Sequence, residues 1–255
     1  MWALLDATIS KAKQRLVPHR EPWIDFLRGI AVIAMVLFHL SFDLHEFGRE
    51  FMGGPLPVPD WYWILVPSAI GGTFLALLGV SARMRFLREG APALTRLRRR
   101  GIYFSLIALG INIATIYFFP RTPIYFGILH SAAAAFLLLP FFLAKPGSFL
   151  PLGLGAIVVG ILLLLVRVDF PWLLWVGLMP KQNAGWDYYP ILPWFGVVLL
   201  GAWGGGKPLP PEVPRFDSRS LAPIRWLGKN SLLVYVIHQP ILLGCLWALG
   251  IMRPA

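Results

Sequence analysis

Residues 149–166 read Phe-Leu-Pro-Leu-Gly-Leu-Gly-Ala-Ile-Val-Val-Gly-Ile-Leu-Leu-Leu-Leu-Val, a run with no charged or hydrogen-bonding side chain. As a helix rising 1.5 Å per residue it would be about 27 Å long, close to the roughly 30 Å of hydrocarbon in a bilayer. Six further apolar runs flank it, which gives expected spans over 24–44, 61–82, 101–119, 124–143, 149–166, 187–206 and 226–249. The chain has 255 residues, 57% hydrophobic and 14% charged, with mean hydropathy +0.68. That is too apolar for a soluble domain to cover with polar surface. The expected fold is an all-α polytopic membrane helix bundle of about seven transmembrane helices.

Charge orients it. Lys and Arg number 23 against 12 Asp and Glu, for a formal net charge of +11. With the N-terminus cytoplasmic, eighteen of the cations fall on cytoplasmic segments and span ends, and only Arg49, Arg121, Arg167, Lys181 and Arg253 fall on the other side. This is the positive-inside pattern, and it excludes nucleic acid as a partner because no aromatic-and-basic repeat accompanies the charge. The acids Asp43, Glu46, Glu50, Asp60, Asp169 and Asp187 fall on the outer side.

Organisation is simple. Residues 1–20 alternate Trp2, Leu5, Ile9 and Leu16 with Lys11, Lys13 and Arg15, as an interfacial helix or a flexible cytoplasmic segment would, without the order of a cleaved signal. Residues 21–255 read as one transmembrane domain. The connectors around Pro120–Pro123 and Lys145–Ser148 are short, so spans three to five are expected as antiparallel neighbours. Pro208–Pro214 reads as a cytoplasmic linker. The single cysteine, Cys245, excludes an intramolecular disulfide and a cysteine metal site.

Ionisable groups inside spans are costly and mark function. His39 lies about 7 Å from the outer end of span one and His130 about 9 Å into span four, at one level. His238 is near the middle of the last span, followed by Gln239 and Pro240, and the proline should open the hydrogen-bond ladder beside it. Asp43 stands four residues after His39, on the same helical face, where a carboxylate could fix the imidazole's tautomer; a plain helix-end carboxylate is the equal alternative. Arg28 either meets a phosphate or pairs with Asp25, and Arg96, Arg98, Arg99 and Arg100 form a topological anchor or a phosphate-recognition cluster.

Certain strings resemble a known family. Trp23-Ile24-Asp25-Phe26-Leu27-Arg28-Gly29-Ile30-Ala31, running on to Met35 and His39, is similar to the opening of the heparan-alpha-glucosaminide N-acetyltransferase catalytic-domain family and its bacterial members. So are Tyr125 to His130, Tyr188 to Gly196, and Asn230 to Tyr235 leading to His238. The Asp-x-x-Arg-Gly opening is shared with the wider group of transmembrane acyltransferases. The resemblance implies a multi-pass enzyme that moves an acetyl group from cytoplasmic acetyl-CoA to a sugar amine or hydroxyl on the outer side. The lysosomal member has asparagine where His39 stands, and its functional histidine lies in the loop after the first span, where only His45 is near.

On this reading His39, Asp43, His130 and His238 are the candidate catalytic side chains, with His39 as base, Asp43 orienting it, and His130 or His238 serving the oxyanion or the leaving thiolate. Arg28 and Arg96, Arg98, Arg99 and Arg100 are expected to take the nucleotide of acetyl-CoA. Asp187, Tyr188, Trp194, Asn230 and Gln239 are expected to bind the acceptor. Acetyl-CoA is the expected donor and no metal is expected. The expected partners are membrane lipid and a small-molecule or glycan acceptor, with a homodimer left open; the expected location is an integral, multi-pass one, in the cytoplasmic (inner) membrane if the source is bacterial. Two rivals remain: a proton-coupled transporter or flippase of an envelope precursor, and a b-type haem protein with His39 and His130 as axial ligands.

Overall fold

A computed structural model describes residues 21–181, 187–208 and 216–252. The expected segment 1–20 and nearly all of the 208–214 linker lie outside the described residues. The helices of eight or more residues among the described residues are α1 (Pro22–Phe47), α2 (Asp60–Glu89), α3 (Ala91–Phe118), α4 (Ile128–Leu138), α5 (Phe149–Leu164), α6 (Ile191–Gly204), α7 (Ala222–Lys229) and α8 (Ser231–Ala248). One two-residue parallel pair, Arg167–Val168 with Met179–Pro180, joins them. The protein is an all-α membrane helix bundle.

Five described stretches are long and apolar enough to cross a membrane: α1, α2, α3, Pro146–Leu164 and α8. On α3 the apolar side chains Ile102, Leu106, Leu109, Ile113 and Ile116 recur on one face and are all more than half exposed. A water-facing helix would carry polar residues at such positions; lipid accepts them.

The fourth and sixth expected spans are shorter than the sequence predicts. They form the apolar stretches Ile128–Phe141 and Ile191–Gly204, each about 21 Å long at 1.5 Å per residue. Helix α4 starts only after Gly127, and Leu192 keeps an extended backbone (φ −103°, ψ 129°) inside the first turn of α6. Ahead of both helices the chain pairs with itself instead of coiling: Phe126 bridges Tyr188, and the Tyr189 amide donates to the Phe126 carbonyl at 2.9 Å.

The described residues divide into two compact units, with the boundary inside α2. Residues 75–181 and 187–208 form unit 1. Its core gathers Leu75, Leu97, Phe136, Leu139, Phe149 and Val198 from the second half of α2, α3, α4 and the turn that follows it, the start of α5, and α6. Helices α3 and α4 pack along each other, as their short connector predicts, while α5 packs chiefly along α6 and not along α4. Small residues bring these helices into close contact. A side-chain carbon at Gly79 or Gly201 would overlap the backbone of the facing helix, at Val198 and Ala76 respectively.

Residues 21–74 and 216–252 form unit 2, in which α1 packs against α7 and α8. Gly29 and Gly228 hold α7 to α1: a Cβ on either would enter the opposite backbone, at Ile224 and Asp25. Phe216 stacks on Phe26 at 4.7 Å, and Arg225 hydrogen-bonds the Phe216 carbonyl. Asn230 ends α7 with its side-chain amide donating to the Trp226 carbonyl at 2.9 Å, and α8 starts at the next residue. The first turn of α2 is tied to α1 by a Ser41–Tyr62 hydroxyl hydrogen bond of 2.7 Å and by Trp63, whose ring centroid is 4.7 Å from that of His45.

Candidate active site

Unit 2 brings four polar side chains together on facing turns of α1 and α8. The rings of His39 and His238 meet edge to face with centroids 4.7 Å apart. One turn further along α1, Asp43 is fully buried and its Oδ1 accepts from Nε2 of Gln239 at 2.8 Å. Asp43 and Gln239 stand 196 residues apart in sequence and are joined by the same packing that joins the histidines.

Each imidazole is turned by its own helix. His39 Nδ1 lies 2.9 Å from the Met35 carbonyl, and His238 Nδ1 lies 2.7 Å from the Tyr235 carbonyl and 3.2 Å from that of Val234. A carbonyl can only accept, so in both rings Nδ1 carries the proton and Nε2 keeps its lone pair. The group that orients His39 is therefore the carbonyl four residues earlier, where helical spacing nominated Asp43. The reason is reach: an imidazole folded back along its helix meets the preceding turn, whereas Asp43 is drawn across to α8. Pro240 stands inside α8 and the helix runs on to Ala248.

Three buried atoms of this cluster have no hydrogen-bond partner among the described residues: Nε2 of His238, Oδ2 of Asp43 and Oε1 of Gln239. With the tautomers above, Nε2 of His238 is an acceptor, as Oε1 of Gln239 always is, and Oδ2 of Asp43 is one in the ionised carboxylate. Buried polar atoms without partners cost about 1–3 kcal/mol each, so a cluster of three is a feature that needs a reason.

His130, in unit 1, is built differently. Its Nδ1 accepts the Gly127 amide at 3.1 Å, which closes the start of α4 and leaves the ring's hydrogen on Nε2, 2.9 Å from the Asn112 carboxamide. Asp187 supports the same turn: its Oδ2 accepts the Ile128 amide at 3.1 Å and fills the space beside Gly127 that any side chain there would occupy. The lone pair of the His130 ring is thus taken by a backbone amide, and the residue that helical depth paired with His39 sits at a helix cap in unit 1.

A family model for the catalytic domain of heparan-alpha-glucosaminide N-acetyltransferase matches residues 20–240. The chain belongs to this family. No curated protein and no solved structure matches it. Membership makes the chain an enzyme of acetyltransferase type, and enzymes of this kind use acetyl-CoA as donor in general. The match spans both units and all four side chains of the α1–α8 cluster.

The other nominated residues of this family member are placed as follows. Tyr188 donates its hydroxyl to the Leu174 carbonyl at 2.8 Å and Trp194 packs on Tyr189 at 4.9 Å between ring centroids, both within unit 1. Arg96 pairs with Glu89 at 3.2 Å, Arg98 lies over Phe141, Arg100 lies over Phe136, and Arg99 is exposed. Arg28 is half-buried on α1, one residue from Gly29. Among the described residues no group of three or more His, Cys, Asp or Glu is placed to hold a metal ion. Sequence reasoning missed the Met35, Val234 and Tyr235 carbonyls, which leave no side-chain signal. It also missed the Gln239 to Asp43 bond, which the nomination of Gln239 for the acceptor had hidden.

Proposed function

We propose that the protein is a membrane-embedded acetyltransferase that moves an acetyl group from cytoplasmic acetyl-CoA to an amine or hydroxyl, of a sugar or a related glycan, on the outer side. The observation that carries this is the cluster of His39, Asp43, His238 and Gln239, with buried oxygen and nitrogen atoms that have no partner among the described residues. Unused lone pairs there are complementary to a molecule that brings N–H or O–H groups, and such groups are the nucleophiles of acetyl transfer.

The chemistry follows from the tautomers. Nε2 of one histidine of the pair accepts the hydrogen of the attacking N–H or O–H as its heteroatom bonds to the thioester carbonyl carbon. Once protonated, that imidazolium becomes the donor the cluster lacked, first stabilising the charge on the carbonyl oxygen and then, as the carbon–sulfur bond breaks, returning its proton to the leaving thiolate. The products are free coenzyme A and the acetylated acceptor. Asp43, held by Gln239, offers Oδ2 to a second N–H or O–H of the acceptor and favours the imidazolium while it exists. The donor enters from the side on which the cation-rich loops lie, with the N-terminus cytoplasmic.

The test is transfer of label from acetyl-CoA to envelope glycans in membranes carrying wild type, His39→Ala or His238→Ala. Loss of transfer in both variants at unchanged protein level supports the pair as the reacting group. Undiminished transfer in both removes the pair from the mechanism.

A further inference from the structure

Unit 1 holds an open pocket of about 320 Å³ that no step above uses. Arg83 at the end of α2 lines it, together with Gly147 and Phe149 at the start of α5 and with Trp203, Gly206 and Lys207 at the end of α6. None of its lining residues is acidic.

Arg83 is only 8% exposed. One guanidinium nitrogen donates to the Leu143 carbonyl at 2.6 Å, and its plane lies near the rings of Phe86 and Phe149, 5.8 and 5.6 Å from their centroids. Its Nε is buried without a hydrogen-bond partner among the described residues. A guanidinium cannot shed its charge, so a fixed positive group is held in the wall with a donor unused. Lys207 is fixed too, its Nζ 3.4 Å from the centre of the Trp203 ring. Helix α5 starts at the same place with no side-chain cap and no acid in its first turn, which adds the positive end of a sixteen-residue helix.

We propose that this pocket is a phosphate-binding site, for a phosphomonoester or pyrophosphate group carried by a nucleotide coenzyme or for the phosphate of an anionic lipid headgroup. The parts match the ligand. Two fixed cations and no carboxylate balance a doubly charged group, the guanidinium fork suits phosphate oxygens, and a helix start is a ready anion site. Gly206 keeps the approach open, because the nearest atom a side-chain carbon there would meet is Nε of Arg83, at 3.4 Å. The coenzyme as source rests on the acetyltransferase reading above; the phosphate chemistry does not.

The experiment follows the rate at which an amine-reactive reagent labels Lys207, read by mass spectrometry on the full chain in phosphatidylcholine nanodiscs. Coenzyme A is expected to slow labelling of wild type and pantetheine, which lacks the nucleotide phosphates, to leave it unchanged. Arg83→Gln should weaken the coenzyme's half-maximal protection about ten-fold, the loss expected of one charge-assisted hydrogen bond. Gly206→Val keeps both cations and fills the space at Nε, so it should weaken protection even where Arg83→Gln proves unstable. In a second arm, phosphatidylglycerol nanodiscs without coenzyme report a headgroup if they slow labelling in wild type and not in the variants. Equal protection by coenzyme A in wild type and both variants, with no effect of phosphatidylglycerol, overturns this site and leaves the acetyl-CoA reading standing. Protection by phosphatidylglycerol alone keeps the site and severs it from the donor. No slowing of wild type in either arm overturns the site outright.

Discussion

Each unit contains a histidine beside an aspartate and an amide side chain, and the two clusters end with opposite hydrogen-bond balances. In unit 1, the lone pair of His130 takes the Gly127 amide, and Asp187 takes a further backbone amide at the start of α4. In unit 2, His39 and His238 spend their donors on carbonyls of their own helices, and three buried polar atoms of the cluster have no partner among the described residues. The residue types are alike; the difference is what the surrounding backbone offers. A helix start supplies N–H groups and satisfies acceptors, whereas a helix interior supplies only carbonyls to an imidazole folded back on it. The hydrogen-bond balance of an imidazole in an apolar span thus follows from where along its helix it stands.

The largest expected effect separates the clusters directly. His39→Ala should lower acetyl transfer by roughly 10²–10⁴-fold, the range of a general base, with little change in thermal melting. His130→Ala should do the reverse: about 1–3 kcal/mol of stability lost, measured by denaturant titration in detergent, through the unsatisfied Gly127 amide, and transfer per folded molecule nearly unchanged. If His130→Ala abolished transfer at an unchanged melting temperature, the contrast between the clusters would be gone.

A second test asks whether the buried carboxylate is there for stability. Gln239→Met takes from Asp43 its donor and should cost about 1–3 kcal/mol, whereas the double variant Asp43→Leu/Gln239→Met, which removes both partners, should recover most of that cost. Its transfer activity should stay low. Recovery of stability and activity together would make the pair a packing feature.

The smallest effects belong to unit 1. Tyr188→Phe removes a hydroxyl that donates to the Leu174 carbonyl and should cost about 1 kcal/mol. Asp187→Asn keeps an oxygen to accept the Ile128 amide and should cost less still, roughly a few tenths of a kcal/mol. A loss of acceptor affinity in either variant, read as a raised KM at unchanged melting, would move that residue back to the acceptor-binding role its place in the sequence suggested.

Much of the fold is legible in the composition. Runs such as 149–166 admit one solvent, and lipid admits helices because every backbone group must bond within its own segment. Where the reading overshot, at 124–143 and 187–206, the lost residues are those that pair with each other through Phe126, Tyr188 and Tyr189. Hydropathy cannot register this, since a bridged Tyr or Phe is as apolar as a helical one. The candidate site was half legible. His39, Asp43 and His238 stand out as costly groups inside apolar runs, but so does His130, and nothing in the spacing of one helix tells a capped ring from an open one.

From the chain alone follow the membrane, the helices, the excess of cations on one set of loops, and the family strings at Asp25-x-x-Arg28-Gly29 and Asn230. Which polar residues meet was decided by packing. The small residues Gly29 and Gly228 let α7 lie on the backbone of α1, Asn230 turns the chain into α8, and His238 and Gln239 thereby reach His39 and Asp43 across nearly two hundred residues. Hydrogen-bond balance is a property of neighbours in space, and a linear chain does not contain it until it is folded.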